Sequence, residues 1–179
     1  MKQICIYILI FSVFLNGCKK DKGLILSGTI TINNILILTE GNYFANGFSV
    51  PTGKKISFSE PPPDVVTILA DKDVNNNVRK IYFSTNNAED SYYRFGNYSD
   101  AVAASLAFKN LTSFATPQCT PLGDSVKANQ VWLFKTRTDK YAKLRVISTV
   151  AEKRDNKPFA ECTFEWVYQP DGSLTFPGK

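Results

Sequence analysis

The residues of this sequence best suited to chemistry are the cations of its last third. Nine basic side chains against three acidic ones lie between Lys127 and Lys157. Lysine and arginine donate hydrogen bonds to phosphate, sulfate and carboxylate groups, and a local excess of positive charge attracts such anions. If the strands on either side of Asp139 form a hairpin with an odd-numbered loop, four cations share its outer face. These four form the predicted anion-binding face: Lys135, Arg137, Lys143 and Arg145.

Two glutamates leave another interpretation of this face open. Glu161 and Glu165 lie on the strand predicted to follow the hairpin, where they could neutralise the cations and leave a solvated, partly paired surface. They do not indicate a glycosidase, because four residues along a strand separate them by about 13 Å. Glycoside hydrolysis needs two carboxyl groups roughly 5 to 9.5 Å apart.

The composition excludes several kinds of catalysis. The chain has no histidine, and its single methionine is the first residue. A Ser-His-Asp or Cys-His nucleophile and a histidine-ligated zinc, iron or copper ion are therefore ruled out. Acid-base chemistry would rest on carboxylates, lysine and tyrosine alone. We expect a protein that is not an enzyme and that holds no cofactor.

One run of alternating oxygen-bearing side chains has the spacing of a calcium-binding loop: Asp71, Asp73, Asn75 and Asn77. The glycine expected at the sixth position of such a loop is Asn76, and the closing glutamate is Tyr82. An asparagine-rich β-hairpin turn accounts for the run better. No metal site is predicted there.

The first residues have the pattern of an export signal. Lys2 precedes a largely apolar segment from Ile4 to Leu15, which is shorter than the roughly 20 residues of a bilayer-spanning helix. The segment 15–18, Leu-Asn-Gly-Cys, resembles the lipobox of bacterial lipoproteins. That resemblance implies a signal peptide over 1–17, acylation of Cys18, a tether over 18–23 and one β-rich domain over 24–179. It places the chain on the bacterial envelope, at the outer membrane, with the lipid bilayer as a partner. Plain secretion with Cys18 unmodified is the alternative.

Two cysteines remain once Cys5 is removed with the signal and Cys18 is acylated. They are Cys119 and Cys162, in a compartment that favours disulfides. A bridge between them closes a 44-residue loop and stabilises the fold by about 4 kcal/mol in the chain-entropy model. We predict this disulfide, with two free thiols, one of them buried, as the alternative.

The sequence predicts a mainly β fold of the β-rich α+β class, with antiparallel sheets or a sandwich of about 9–10 short strands. The β-type runs, separated by Asn, Asp, Gly and Pro, are 24–32, 35–39, 47–50, 54–59, 65–70, 78–85, 131–138, 141–150, 159–168 and 173–176. One packed amphipathic helix is predicted near 99–114, with Ser99 as its N-cap and Asp100 favourably placed against the helix dipole. Its apolar arc is Ala103, Ala104, Ala107, Phe108, Leu111 and Phe114.

Two segments near the C-terminus carry a family resemblance. The segment 139–145, Asp-Lys-Tyr-Ala-Lys-Leu-Arg, and the segment 164–173, Phe-Glu-Trp-Val-Tyr-Gln-Pro-Asp-Gly-Ser, resemble the C-terminal half of HmuY-like lipoproteins. The likeness covers about fifty of the 179 residues. It implies an exported β-rich protein of a family that includes haem scavengers.

The haem ligands of that family are histidine and methionine, which this chain lacks at every mature position. Tyrosine ligates ferric haem in other proteins, and four tyrosines are candidates here: Tyr92, Tyr93, Tyr98 and Tyr141. We therefore expect a non-catalytic ligand-binding or accessory module whose partner is a small anion or an envelope protein. The alternatives are a structural or protein-interaction lipoprotein, a haem binder that uses tyrosine, and a carboxylate-based hydrolase. Nucleic acid is not an expected partner of an exported, lipid-anchored chain.

Overall fold

The computed structural model describes residues 26–39, 42–57, 64–87 and 89–176. Within these ranges the chain forms nine strands and one helix: β1 (Ser27–Thr39), β2 (Asn42–Ser49), β3 (Lys54–Ser57), β4 (Val65–Lys72), β5 (Val78–Thr85), β6 (Tyr92–Asn97), α1 (Ala101–Asn110), β7 (Gln130–Lys135), β8 (Tyr141–Arg154) and β9 (Lys157–Gln169). The predicted mainly β fold with one packed helix is confirmed. The predicted signal peptide, Cys18 and the tether lie outside the described residues.

The strands form one antiparallel sheet in the order β5-β4-β2-β1-β9-β8-β7-β6, with β3 paired to β2. Two isolated β-bridges connect the strands at the two edges of the sheet, β5 and β6, through one further segment. Gly123 pairs with Phe83 of β5, and Thr120 pairs with Tyr92 of β6. The segment 120–123 therefore joins the two terminal strands, and the curved sheet encloses one inner core.

The inner core is built from side chains that alternate along the strands, because successive residues of a strand point to opposite faces. Lys135 pairs with Tyr141 across a loop of residues 136–140, which is the odd-numbered loop that the hairpin prediction required. The inward residues of this hairpin are Trp132, Phe134, Ala142, Leu144 and Val146, as predicted. Phe83 joins the opposite sides of the core, with ring centroids 6.0 Å from Trp132 and 5.8 Å from Phe164.

Helix α1 is shorter than the predicted segment near 99–114, and its N-cap is Asp100, not Ser99. Asp100 Oδ1 accepts a hydrogen bond from Ala103 N at 2.8 Å, and Ser99 Oγ donates to Asp100 Oδ2 at 3.0 Å. Aspartate caps a helix well because its carboxylate accepts from a free amide and faces the positive end of the dipole. The helix ends at Asn110, and the N–H of Leu111 closes the last turn on Ala107 O at 3.0 Å.

A second apolar cluster lies on the outer face of the sheet, under α1. Phe108 and Leu111 pack there against the outward residues of β7, β8 and β9, and Phe176 completes the cluster. The predicted strand over 173–176 is only an isolated bridge between Thr175 and Ser113. Because the helix covers β7 and β8, these strands are buried on both faces at this point. That cover decides the environment of the predicted anion-binding face.

Candidate functional site

Lys143 lies in the middle of the predicted anion-binding face, and helix α1 covers it. Only 4% of the residue is exposed. Its Nζ donates to the carbonyl oxygens of Phe108 at 2.7 Å and Leu111 at 2.9 Å, and lies 4.7 Å from the centroid of the Phe108 ring. Carbonyls at the C-terminal end of a helix lack intrahelical partners and attract a cation. Lys143 therefore fastens the helix to the sheet.

Two further cations of the set have carboxylate partners. Arg145 donates from Nε and Nη2 to Oε2 of Glu165, at 3.1 and 2.8 Å. Glu165 is the residue directly opposite Arg145 on β9. Lys135 Nζ lies 3.6 Å from Asp139 Oδ1. The interpretation in which a neighbouring glutamate pairs with this face thus applies to Arg145.

Arg137 lies in the β7–β8 turn, beyond the end of both strands. Its backbone N–H donates to Oδ1 of the buried Asp64 at 2.8 Å, and Asn87 Nδ2 donates to the same oxygen at 2.9 Å. This network anchors the turn to the start of β4. Lys135, Arg137, Lys143 and Arg145 are therefore not brought together as one open surface.

The predicted disulfide is not formed, and both Cys119 and Cys162 are free thiols. Cys162 is fully buried in the inner core. Cys119 precedes Thr120, which pairs with Tyr92, and Tyr92 is level with Tyr168 of β9 across the intervening strands. Cys162 lies six residues before Tyr168, about 20 Å along the strand, whereas a disulfide needs Cα atoms within about 7 Å. Burial raises the pKa of both thiols.

An open cleft of about 350 Å³ lies where β6 ends and β7 begins. The register places Asn97 opposite Gln130 at this end of the two strands. We call it the Arg94–Lys127 cleft, and its polar lining side chains are Arg94, Asn97, Tyr98, Ser125, Lys127 and Gln130. Sites for small molecules occupy about 300–1,000 Å³, so the cleft suits a small ligand.

Gln130 holds the walls of the cleft together. Only 3% of this residue is exposed. Its Nε2 donates to Asn97 Oδ1 at 2.8 Å and to Ser125 O at 3.1 Å. Its Oε1 accepts from Lys127 N at 2.9 Å and from Trp132 Nε1 at 3.0 Å. One buried amide thus joins β6, β7 and the segment before β7 through four hydrogen bonds.

The two cations of the cleft lack carboxylate partners. Among the residues that the structure describes, neither the Arg94 guanidinium nor the Lys127 ammonium has an ion pair or a hydrogen bond. Arg94 Cζ lies 5.5 Å from the centroid of the Trp132 ring. A cation–π contact of this kind uses none of the N–H donors of the guanidinium. Both cations are therefore able to bind an anion.

The carboxylate nearest in sequence to the cleft is Asp124, and it has partners of its own. Lys80 Nζ lies 2.7 Å from Asp124 Oδ1, and Ser125 Oγ donates to Asp124 Oδ2 at 3.3 Å. The hydrogen bond from Lys80 lowers the pKa of Asp124, and the same contact raises the pKa of Lys80. Lys80 thus neutralises Asp124, and the positive charges of Arg94 and Lys127 are available to bind an anionic ligand.

Tyr98 forms another wall of the cleft, and Gly96 leaves room for it. A Cβ atom on Gly96 would lie 2.6 Å from the Tyr98 hydroxyl oxygen. The backbone N–H of Tyr98 donates to Asn129 O at 3.1 Å, which fixes the residue at the end of β6. Gly96 is in register with Val131 of the outer apolar cluster, and Tyr98 packs against the same cluster. The Tyr98 hydroxyl therefore lies on the outer face of the sheet, and the donors of the cleft come from its other lining residues.

The four tyrosines proposed as haem ligands lie in different surroundings. Tyr92 is fully buried, and its hydroxyl donates to Ser84 O at 2.6 Å. Burial raises the pKa of both Tyr92 and Tyr141, which opposes the phenolate form that binds iron. Tyr93 is exposed, and Tyr98 lines the cleft. The structure does not bring these four side chains together.

The calcium-like run is the β4–β5 turn, as predicted. Asp73 Oδ1 accepts from the backbone N–H groups of Asn75 and Asn77, at 2.8 and 2.9 Å. Asn77 Nδ2 donates to Asp73 Oδ2 at 2.9 Å, and this bond is the main cause of the lowered pKa of Asp73. In the part of the chain that the structure describes, no cluster of three or more potential metal ligands occurs.

The sequence prediction missed the cleft because its parts are distant along the chain. Arg94 and Lys127 are separated by a segment that contains α1 and the 111–126 loop. Only the pairing of β6 with β7 brings them together. Lys127 is the first residue of the basic stretch from Lys127 to Lys157. The charge excess therefore indicates the right part of the sequence, but the predicted anion-binding face does not include Lys127.

The comparisons with known proteins add no relative. No protein-family model matches the chain, and no curated protein matches it. Across residues 26–39, 42–57, 64–87 and 89–176, no helix is long and apolar enough to cross a membrane.

Proposed function

We propose that this chain is a non-catalytic lipoprotein of the bacterial envelope, of the HmuY-like type, that binds a small anionic ligand. The observation that carries the proposal is the Arg94–Lys127 cleft, where two cations without carboxylate partners line one cavity. Cations of this kind bind phosphate and carboxylate groups through charge-assisted hydrogen bonds. The proposal therefore moves the ligand site away from the hairpin face.

The lipobox-like segment that ends at Cys18 supports an envelope location, and the HmuY-like segments support the family type. The lining of the cleft favours binding over catalysis. Its titratable lining residues are Arg94, Tyr98 and Lys127, and the nearby Asp124, which could act as a general base, is paired with Lys80. Such a set binds and orients an anion.

A structural or protein-interaction role is the second candidate, and one surface favours it. Helix α1 exposes Val102 and Leu106, one turn apart, to 79% and 57% of their surface. They line a groove of about 430 Å³ together with Lys109 and Arg145. An exposed apolar pair beside cations suits contact with another envelope component.

Tryptophan fluorescence of the full chain tests the proposal, because the Arg94 guanidinium lies over the Trp132 ring and a bound anion would change the surroundings of that ring. Inorganic phosphate, sulfate and citrate are the probes, and glycerol is the neutral control. We expect a saturable change with an anion, lost in the Arg94→Gln/Lys127→Gln double variant. The control variant is Lys54→Gln/Lys55→Gln, which removes the same charge from the exposed strand β3. An equal response of both variants would contradict the proposal.

A further inference from the structure

We infer that the Arg94–Lys127 cleft binds the carboxylate or phosphate group of a small soluble molecule, and not the same group on a lipid headgroup. This inference rests on the proposed function and specifies the ligand of its site. It combines three observations: the donors that line the cleft, its volume, and its position relative to the start of β1.

The donors of the cleft match an oxyanion. Asn97 Oδ1 accepts from Gln130, so Nδ2 is the end of that amide left to donate to a ligand. The Arg94 guanidinium and the Lys127 ammonium add further donors without a hydrogen bond to any described residue. Carboxylate and phosphate oxygens have several lone pairs each, and arginine binds them in a bidentate manner.

The cleft is preformed and small. The four hydrogen bonds of Gln130 fix Asn97, Ser125 and the Lys127 backbone before a ligand arrives. Preorganisation lowers the entropy cost of binding a compact ligand. A volume of about 350 Å³ is at the lower end of the range for small-molecule sites, so the ligand is a compact organic or inorganic anion.

The cleft is separated from the start of β1 both along the strands and across them, because β9 and β8 lie between β1 and β7. The carbonyl of Leu26 accepts from Tyr168 N at 2.7 Å. Tyr168 is in register with Ala142, and Ala142 with Phe134 of β7. Gln130 lies four residues further along β7, about 13 Å away along the strand. The segment that would carry the lipid therefore joins the domain about 13 Å from the cleft along the strands and about 14 Å from it across three strand spacings.

The experiment uses the full chain anchored in phosphatidylcholine vesicles, with or without phosphatidic acid, at physiological ionic strength. Citrate and inorganic phosphate are titrated, and binding is followed by calorimetry. A headgroup phosphate that occupied the cleft would compete with citrate within the same vesicle. At this ionic strength charges are screened over about 8 Å, which is less than the separation between the start of β1 and the cleft, so the surface potential alone has little effect on binding.

We expect citrate or phosphate to bind with the same affinity in both vesicles, and at least tenfold more weakly to Arg94→Gln/Lys127→Gln. A fall in citrate affinity caused by phosphatidic acid would overturn the inference and leave the anion site intact. Binding that is unaffected by the double variant would overturn the proposed function as well. Circular dichroism of the double variant establishes that it is folded.

Discussion

Replacing Lys143 with methionine tests the assignment of this lysine to helix anchoring. Methionine keeps the length of the aliphatic chain and removes the ammonium, which leaves the carbonyl oxygens of Phe108 and Leu111 without their charged donor. Hydrogen bonds to charged groups contribute about 1.5–3 kcal/mol each, and a cation at a helix C-terminus up to about 2 kcal/mol. Methionine avoids the cost of burying a charge, which offsets part of that loss.

We expect Lys143→Met to lower the free energy of unfolding by about 2–3 kcal/mol. For a chain of this size the melting temperature falls by about 2–4 °C per kcal/mol, hence by about 4–12 °C, measured by circular dichroism. The control is Lys109→Met, an exposed lysine in the last turn of the same helix, whose interaction with the helix dipole contributes at most about 1 kcal/mol. Equal melting temperatures of the two variants would refute the anchoring role of Lys143.

Three further predictions follow from the same geometry. Gln130→Met removes four hydrogen bonds without changing a charge. We expect this variant to have a lower melting temperature and to bind citrate at least tenfold more weakly. Unchanged citrate binding would show that the cleft does not depend on the Gln130 amide. We expect Cys119 and Cys162 to remain thiols in air, and the buried Cys162 to react with a thiol reagent only after unfolding. A protein mass lower by two hydrogens in the mass spectrum would show a disulfide and contradict this. The hydrogen bond from the Ala103 amide lowers the pKa of Asp100 in the folded state from its ordinary 3.8. The ionised cap therefore stabilises the fold above about pH 4, and this stabilisation is lost as the pH falls through the lowered pKa. Asp100→Asn should remove that acid-dependent step from the melting curves, and an unchanged profile would place its origin elsewhere.

The β7–β8 hairpin illustrates what the sequence predicts well. The alternation of apolar and polar residues, with an odd-numbered loop, correctly predicts that Trp132, Phe134 and Leu144 face the inner core. This works because strand register follows from the side-chain period and the length of the turn. Local signals also predict α1, with Ser99 as the N-cap in place of the observed Asp100. These features depend on neighbours within about twenty residues of each other.

Contacts between distant segments could not be predicted in this way. Alternation shows that Lys143 points outward, but not that α1 lies over it, because this contact spans 32 residues. The disulfide prediction rests on the number of cysteines, which does not show how far apart the strand pairing places Cys119 and Cys162. The same reason hid the cleft, since Arg94 and Lys127 meet only through strand pairing.

Calorimetric titration of citrate into three forms of the full chain tests the central claim most directly. These are the wild type, Arg94→Gln/Lys127→Gln and Lys54→Gln/Lys55→Gln. The account predicts saturable binding to the wild type and to the β3 variant, with affinity reduced at least tenfold in the cleft variant. That reduction corresponds to about 1.4 kcal/mol or more, as expected for the loss of charge-assisted hydrogen bonds. Identical titrations of all three forms, or no binding to any of them, would contradict the assignment of the cleft as an anion site.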